Sequence, residues 1–159
     1  AREEAFFRFP RLFSGGYPSL VPDSSLVVYF DGLCNLCNGF VAFLVERDRE
    51  RRLRYASQQG NAFAALKGRH PGLVAGAETI VAAEVGADGT ERLHVESDAT
   101  LAILARLPAP WRWLRWGRIV PRPLRNAAYR LVARNRYRLF GKRETCRLPS
   151  PEERALFLD

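Results

Sequence analysis

Two cysteines three residues apart, set where an apolar strand gives way to a helix, constrain this chain more than any other feature. Val27-Val28-Tyr29-Phe30 is an unbroken apolar run, the pattern of a strand buried on both faces of a parallel sheet. Asp31-Gly32-Leu33 follows, and then Cys34-Asn35-Leu36-Cys37-Asn38. Apolar residues next recur at Leu36, Phe40, Phe43 and Leu44, with a second row at Val41 and Val45, which predicts a helix with a wide buried face. The pair therefore falls at the carboxyl end of a central strand and in the first turn of the next helix. Open α/β sheets gather their chemistry at this edge.

Residues three apart on a helix face the same way, so the sulfurs of Cys34 and Cys37 can close a short disulfide with little backbone movement. With Cys34 near the N-cap, its sulfur points at the unpaired amides of Leu36 and Cys37. Those donors and the positive helix end favour thiolate, the attacking species, the dipole alone by about 0.3–1 kcal/mol at an exposed site. Gly32 is expected to let the chain turn between strand and helix. The pair reads as a redox-active dithiol on a solvent-reachable helix tip, with Cys34 the nucleophile and Cys37 the resolving thiol. Asp31 admits a functional reading, as a proton acceptor for Cys37 or a partly buried group of raised pKa, and a structural one, as an acceptor for the amides of Leu33 and Cys34.

A zinc site is the competing use of such a pair, but zinc needs about four ligands and no second Cys-x-x-Cys exists. Cys146, His70 and His94 could complete one only by a chance of folding, and neither metal nor organic cofactor is expected. Three cysteines cannot build a disulfide framework, and the odd count points to a reducing compartment, expected to be the cytoplasm. Residues 1–17 are broken by Arg2, Arg8, Pro10 and Arg11 and do not read as a secretory signal. No run approaches the roughly 18 apolar residues of a spanning helix.

In chain order, residues 1–25 read as an irregular aromatic arm. A strand over Leu53–Ala56 and a small helix over Asn61–Lys67 follow the first unit, then a loop from Gly68 to Gly76. Thr79–Ala83 and Arg92–Val95 are the third and fourth strands, joined by the hairpin residues Ala87-Asp88-Gly89. Ser97 is expected to cap a helix over Asp98–Leu107, which Pro108 and Pro110 end. The order β-α-β-α-β-β-α predicts an α/β thioredoxin-like fold, a central mixed four-stranded sheet with flanking helices. It divides the chain into an arm (1–25), a core (26–108) and a helical C-terminal extension and tail packed on the core (109–159).

Within that class, Asp31-x-x-Cys34-x-x-Cys37 resembles the DCC family of thiol-disulfide oxidoreductases, named for the same Asp-Cys-Cys pattern. The resemblance continues at Ser97-Asp98-Ala99, Pro121-Arg122-Pro123-Leu124-Arg125 and Asn135-Arg136-Tyr137-Arg138-Leu139-Phe140-Gly141-Lys142-Arg143. It implies the fold, a redox role for the dithiol, a protein or small-molecule disulfide or thiol as substrate, and an external thiol reductant. One departure matters. Thioredoxins carry a cis-proline before the third strand that presents backbone to the substrate chain, whereas Ala77-Glu78-Thr79-Ile80 stands here. That favours a narrower thiol exchanger over a general protein-disulfide reductase.

The net charge is +8, and its excess lies after Trp111, where Glu144 is the only acid before Glu152. Trp111, Trp113 and Trp116 are expected chiefly to plug a core. The helix after Pro121 is expected to turn Leu124, Ala127, Ala128, Leu131 and Val132 to one face and Arg125, Arg130 and Arg134 toward the other. That helix could meet a membrane surface or an acidic protein, with nucleic acid a weaker reading. If the dithiol is idle, the alternative is a non-catalytic binding module that uses this basic cap. Cys146 is expected to be a plain surface or packed cysteine.

Overall fold

A computed structural model of the chain describes residues 26–74, 79–86, 90–146 and 148–158. The aromatic arm and the hairpin residues Ala87–Gly89 lie outside them. Strand β1 (Leu26–Phe30) leads into helix α1 (Asn35–Arg47), followed by β2 (Leu53–Ser57), α2 (Asn61–Arg69) and a short α3 (Pro71–Val74). Strands β3 (Val81–Val85) and β4 (Glu91–Val95) precede α4 (Glu96–Leu104), a 3₁₀ segment Trp111–Ile119, α5 (Arg122–Phe140) and a 3₁₀ turn Arg154–Leu156. The sheet order is β2-β1-β3-β4, with β1 parallel to β2 and antiparallel to β3, and β3 antiparallel to β4. This is the expected mixed four-stranded sheet with flanking helices and a C-terminal helix.

Strand β1 is apolar throughout because it is buried on both faces. Leu26, Val28 and Phe30 pack with Val41 and Leu44 of α1 and Ala99 and Ile103 of α4. Val27 and Tyr29 face Phe63 and Leu66 of α2 on the other side. The two clusters fix the register of β1, since a slip of one residue would exchange them, and so fix where the helix after it begins.

Several boundaries differ from expectation, α4 ending at Leu104 rather than Leu107 among them. Strand β3 starts two residues later, because Thr79 and Ile80 bond a helix outside the sheet: the Thr79 hydroxyl (2.7 Å) and the Ile80 amide (3.0 Å) both donate to the Tyr129 hydroxyl. Pro71–Val74 forms a helical turn where a loop was expected. Ser97 is not the cap of α4. Strand β4 runs straight into the helix through Glu96 (φ +54°), Val95 holds the N-cap position, and the Ser97 hydroxyl donates to Asn126 of α5.

Helix α5 reverses the expected polarity. Its inward side is polar: Arg125 meets Asp98 at 2.9 Å and Arg136 is buried, while exposed Arg130 reaches Glu96 at 2.6 Å. Leu124 and Leu131 are each 65% exposed, and Val132 is exposed too. Trp111 does pack inward, edge-on to Phe43 at 4.8 Å, but Trp113 and Trp116 are exposed rather than core. The sequence pattern is amphipathic as read. The face that carries hydrogen bonds to α4 and to Thr79 and Ile80 before β3 is the one that docks.

Candidate active site

The site forms where β1 ends. Cys34 is the N-cap of α1, and its Sγ accepts the Cys37 amide at 3.4 Å, so the cap that serine or aspartate usually supplies is here a sulfur. The turn before it is closed by the Cys34 amide donating to the Asp31 carbonyl (3.2 Å). Buried Asn38, one turn into α1, donates through Nδ2 to the carbonyls of Gly32 and Cys34, both at 2.8 Å. All three cysteines are free thiols.

The two sulfurs differ in access. Cys34 is fully buried, which corrects the expectation of an exposed nucleophile. The chain after α5 crosses it: Lys142 pairs with Cys34 as an antiparallel bridge. Around that bridge the Arg143 amide donates to the Leu33 carbonyl (2.7 Å) and the Asn35 amide to the Gly141 carbonyl (3.4 Å). The Asn35 side chain bonds both Phe140 and Arg143 of the same crossing. Cys37 instead borders a cavity of about 370 Å³ between α1, α5 and the approach to β3, with Leu36, Phe40, Ile80, Val132 and Ala133 as its apolar walls. Burial pushes the Cys37 thiol up to about 12, and the hydrogen bond to Cys34 adds to the shift.

Asp31 lies at the same cavity, and four donors converge on it. The Leu33 amide and Gln59 Nε2 each donate to Oδ1 at 3.0 Å, while Arg136 (3.2 Å) and the Tyr137 hydroxyl donate to Oδ2. Burial alone would raise its pKa. The Tyr137, Leu33 and Gln59 hydrogen bonds and the Arg136 charge outweigh burial and hold the carboxyl below its ordinary value. The raised-pKa reading is thereby replaced by an ionised anchor that joins α5 to the dithiol turn. Of the two amides expected on this side chain, only that of Leu33 bonds it.

Gly32 is needed for space. A Cβ there would run into the Cys146 sulfur and lie 3.1 Å from both Gln59 Oε1 and Ser57 Oγ. Cys146 itself sits 3.3 Å from the Ser57 hydroxyl. His70 pairs with Glu91 (2.7 Å) and His94 lies near Glu84 (3.9 Å). Among the described residues no cluster of three or more His, Cys, Asp or Glu could hold a metal.

Gln59 and Tyr129 carry no sequence signal beyond being polar, whereas Asn38 directly follows the cysteine pair. Arg136 and Tyr137 had one: they lie in the last resembling block. The blocks are in fact mutual contacts, Ser97-Asp98 against Arg125 and Asn126, and Arg136-Tyr137 against Asp31.

Compared with known proteins, residues 28–142 match the sequence profile described as DCC1-like thiol-disulfide oxidoreductase. The uncharacterized protein YuxK of Bacillus subtilis is 34% identical over 132 residues, covering 83% of this chain and 93% of that one. A DCC family protein of Arabidopsis thaliana, named as chloroplastic, is 33% identical over 130 residues, covering 79% and 71%. No solved structure matches significantly.

Proposed function

Given that the chain belongs to the DCC1-like thiol-disulfide oxidoreductase family, we propose that it exchanges disulfides through Cys34 and Cys37. The observation that carries this reading is the pair's placement. One sulfur caps the amino end of α1, and the other, three residues on, forms the wall of a cavity.

In the reducing direction the Cys34 thiolate attacks one sulfur of a substrate disulfide. The substrate S–S bond breaks, and one half leaves and takes up a proton. Cys37 then gives up its proton and attacks the Cys34 sulfur of the mixed disulfide. The Cys34–Cys37 bond forms as the second substrate thiol departs. Two electrons pass to the substrate, and an external thiol reductant returns them. A thiol held near pKa 12 suits the second role, because it stays protonated until the mixed disulfide forms beside it. Phe140–Arg143 must move aside for the first step. The substrate favoured is compact rather than an extended polypeptide, since Tyr129 of α5 already takes the Ile80 amide beside the cavity. A reducing compartment suits this cycle, and among the described residues no helix is long and apolar enough to cross a membrane.

Turnover of glutathione disulfide and of insulin disulfides tests this. Cys34→Ser abolishes activity, and Cys37→Ser accumulates a mixed disulfide on Cys34. Accumulation on Cys37 in the Cys34→Ser variant would reverse the two roles. Full activity without Cys34 would rule it out as the nucleophile, and no turnover by the wild-type chain would leave the alternative, a non-catalytic binding module that uses its basic helical cap.

A further inference from the structure

Of the twelve large hydrophobic side chains that stand exposed among the described residues, ten lie between Trp113 and Phe140. Those on α5 stand outward because the helix docks by its polar side. At 100° per residue Leu124, Leu131 and Leu139 share the outward stripe, with Ala128 and Asn135 between them and Arg134 and Arg138 along one edge. Leu131 and Leu139 are 65% and 67% exposed. The preceding 3₁₀ segment, packed on α4 like α5, exposes Trp113 (60%), Trp116 (61%) and Ile119 (77%), interleaved with exposed Arg112, Arg115 and Arg118. No Asp or Glu occurs from residue 111 to 143. Arg125, Arg130 and Arg136 are matched by Asp98, Glu96 and Asp31, so Arg112, Arg115, Arg118, Arg134 and Arg138 give this face its charge.

We propose that this face docks on an anionic membrane surface, with α5 and the 3₁₀ segment lying in the plane of the interface. Tryptophans at the edge of an apolar stripe and arginines whose stems reach past it to the headgroups are the side chains such an interface selects. Charge complementarity decides among occupants. A second copy would set the same arginines against each other across a two-fold axis, on a chain of net charge +8. The aromatic arm carries Arg2, Arg8 and Arg11 against Glu3, Glu4 and Asp23, a net charge of zero with nothing to offset the face. An anionic bilayer offers the opposite charge over the whole length of the helix, about 28 Å for 19 residues. Ala128 and Val132, exposed on α5, also line the cavity at Cys37, so the docked protein turns that opening toward the headgroup region.

Flotation of the full chain with phosphatidylcholine vesicles, with and without phosphatidylglycerol, tests the surface independently of any redox activity. The expected result is binding only to the anionic vesicles, weakened by salt and accompanied by a blue shift of tryptophan emission. Trp113→Ser/Trp116→Ser and Leu131→Ser/Leu139→Ser each reduce partitioning by roughly tenfold or more, since both substitute apolar groups that enter the interface. These side chains are exposed, and an unchanged unfolding midpoint separates lost binding from lost folding. Absence of binding to anionic vesicles overturns the proposal, as does equal binding to neutral ones or binding indifferent to the four substitutions. A dimer of the wild-type chain that Leu131→Ser/Leu139→Ser dissolves gives the face to a second copy instead.

Discussion

At the scale of single residues, the dithiol turn depends on an atom that is missing. Gly32 has no Cβ, and the space holds the sulfur of Cys146. Gly32→Ala must push that sulfur, together with Gln59 and Ser57, off the turn. The expected cost is about 1–3 kcal/mol in urea unfolding, the usual range for overpacking. Pairing it with Cys146→Ala should recover part of that loss. An additive result would mean that the clash is relieved elsewhere. The sequence exposed the glycine but not its reason: among the described residues the glycine with a left-handed φ is Gly141, so turn geometry alone does not demand Gly32. A long-range contact from residue 146 leaves no local signature, and the same holds for the Gln59 bonds to Asp31 and Gly32.

Among the elements, β1, α1, β2 and α2 were legible almost to the residue, because period and burial agree there. The ends that moved are those where a neighbour supplied what a local signal seemed to promise. Tyr129 took Thr79 and Ile80 from the third strand, and Asn126 took the hydroxyl of Ser97 from capping duty. Periodicity found both faces of α5 and misread which one docks, because apolar spacing is silent about a facing row of acids on α4. Gly141 ends α5 at φ +81°, ψ 168°, a region essentially reserved for glycine, with Asn35 Nδ2 only 3.0 Å from where a Cβ would be. Gly141→Ala is therefore expected to cost about 1–3 kcal/mol and to loosen the crossing over Cys34. Iodoacetamide labelling of Cys34, followed by mass spectrometry, should accelerate in this variant while labelling of Cys146 does not. Unchanged Cys34 labelling would show that the crossing does not limit access.

Across the whole molecule, the Asp31–Arg136 pair ties the extension to the core, and the charge pattern sets how stability responds to acid. The carboxyl of Asp31 is held below its ordinary value, so its contribution is present above about pH 4 and is lost as pH falls through the folded pKa. Glu91, lowered by Arg69 and His70 against its burial, and His94, lowered chiefly by burial, tilt the curve the same way. Unfolding free energy should fall as pH drops from about 5 to 3, and Asp31→Asn should flatten that fall without removing it. At neutral pH Arg136→Leu is expected to cost about 3–5 kcal/mol by leaving a buried carboxylate short of its cation, and Asp31→Asn in the same chain should return part of it. A steeper acid slope in Asp31→Asn would contradict the ionised anchor.

The bridge between Cys34 and Lys142 also has a thermodynamic consequence. A substrate that reacts only when the bridge is broken meets the fraction of molecules in which it is broken, so its apparent affinity is the intrinsic one discounted by that fraction. Changes that raise the uncovered population would then improve turnover at scarce substrate while lowering resistance to denaturation. Under the proposed exchange, this short segment would set catalytic readiness against durability.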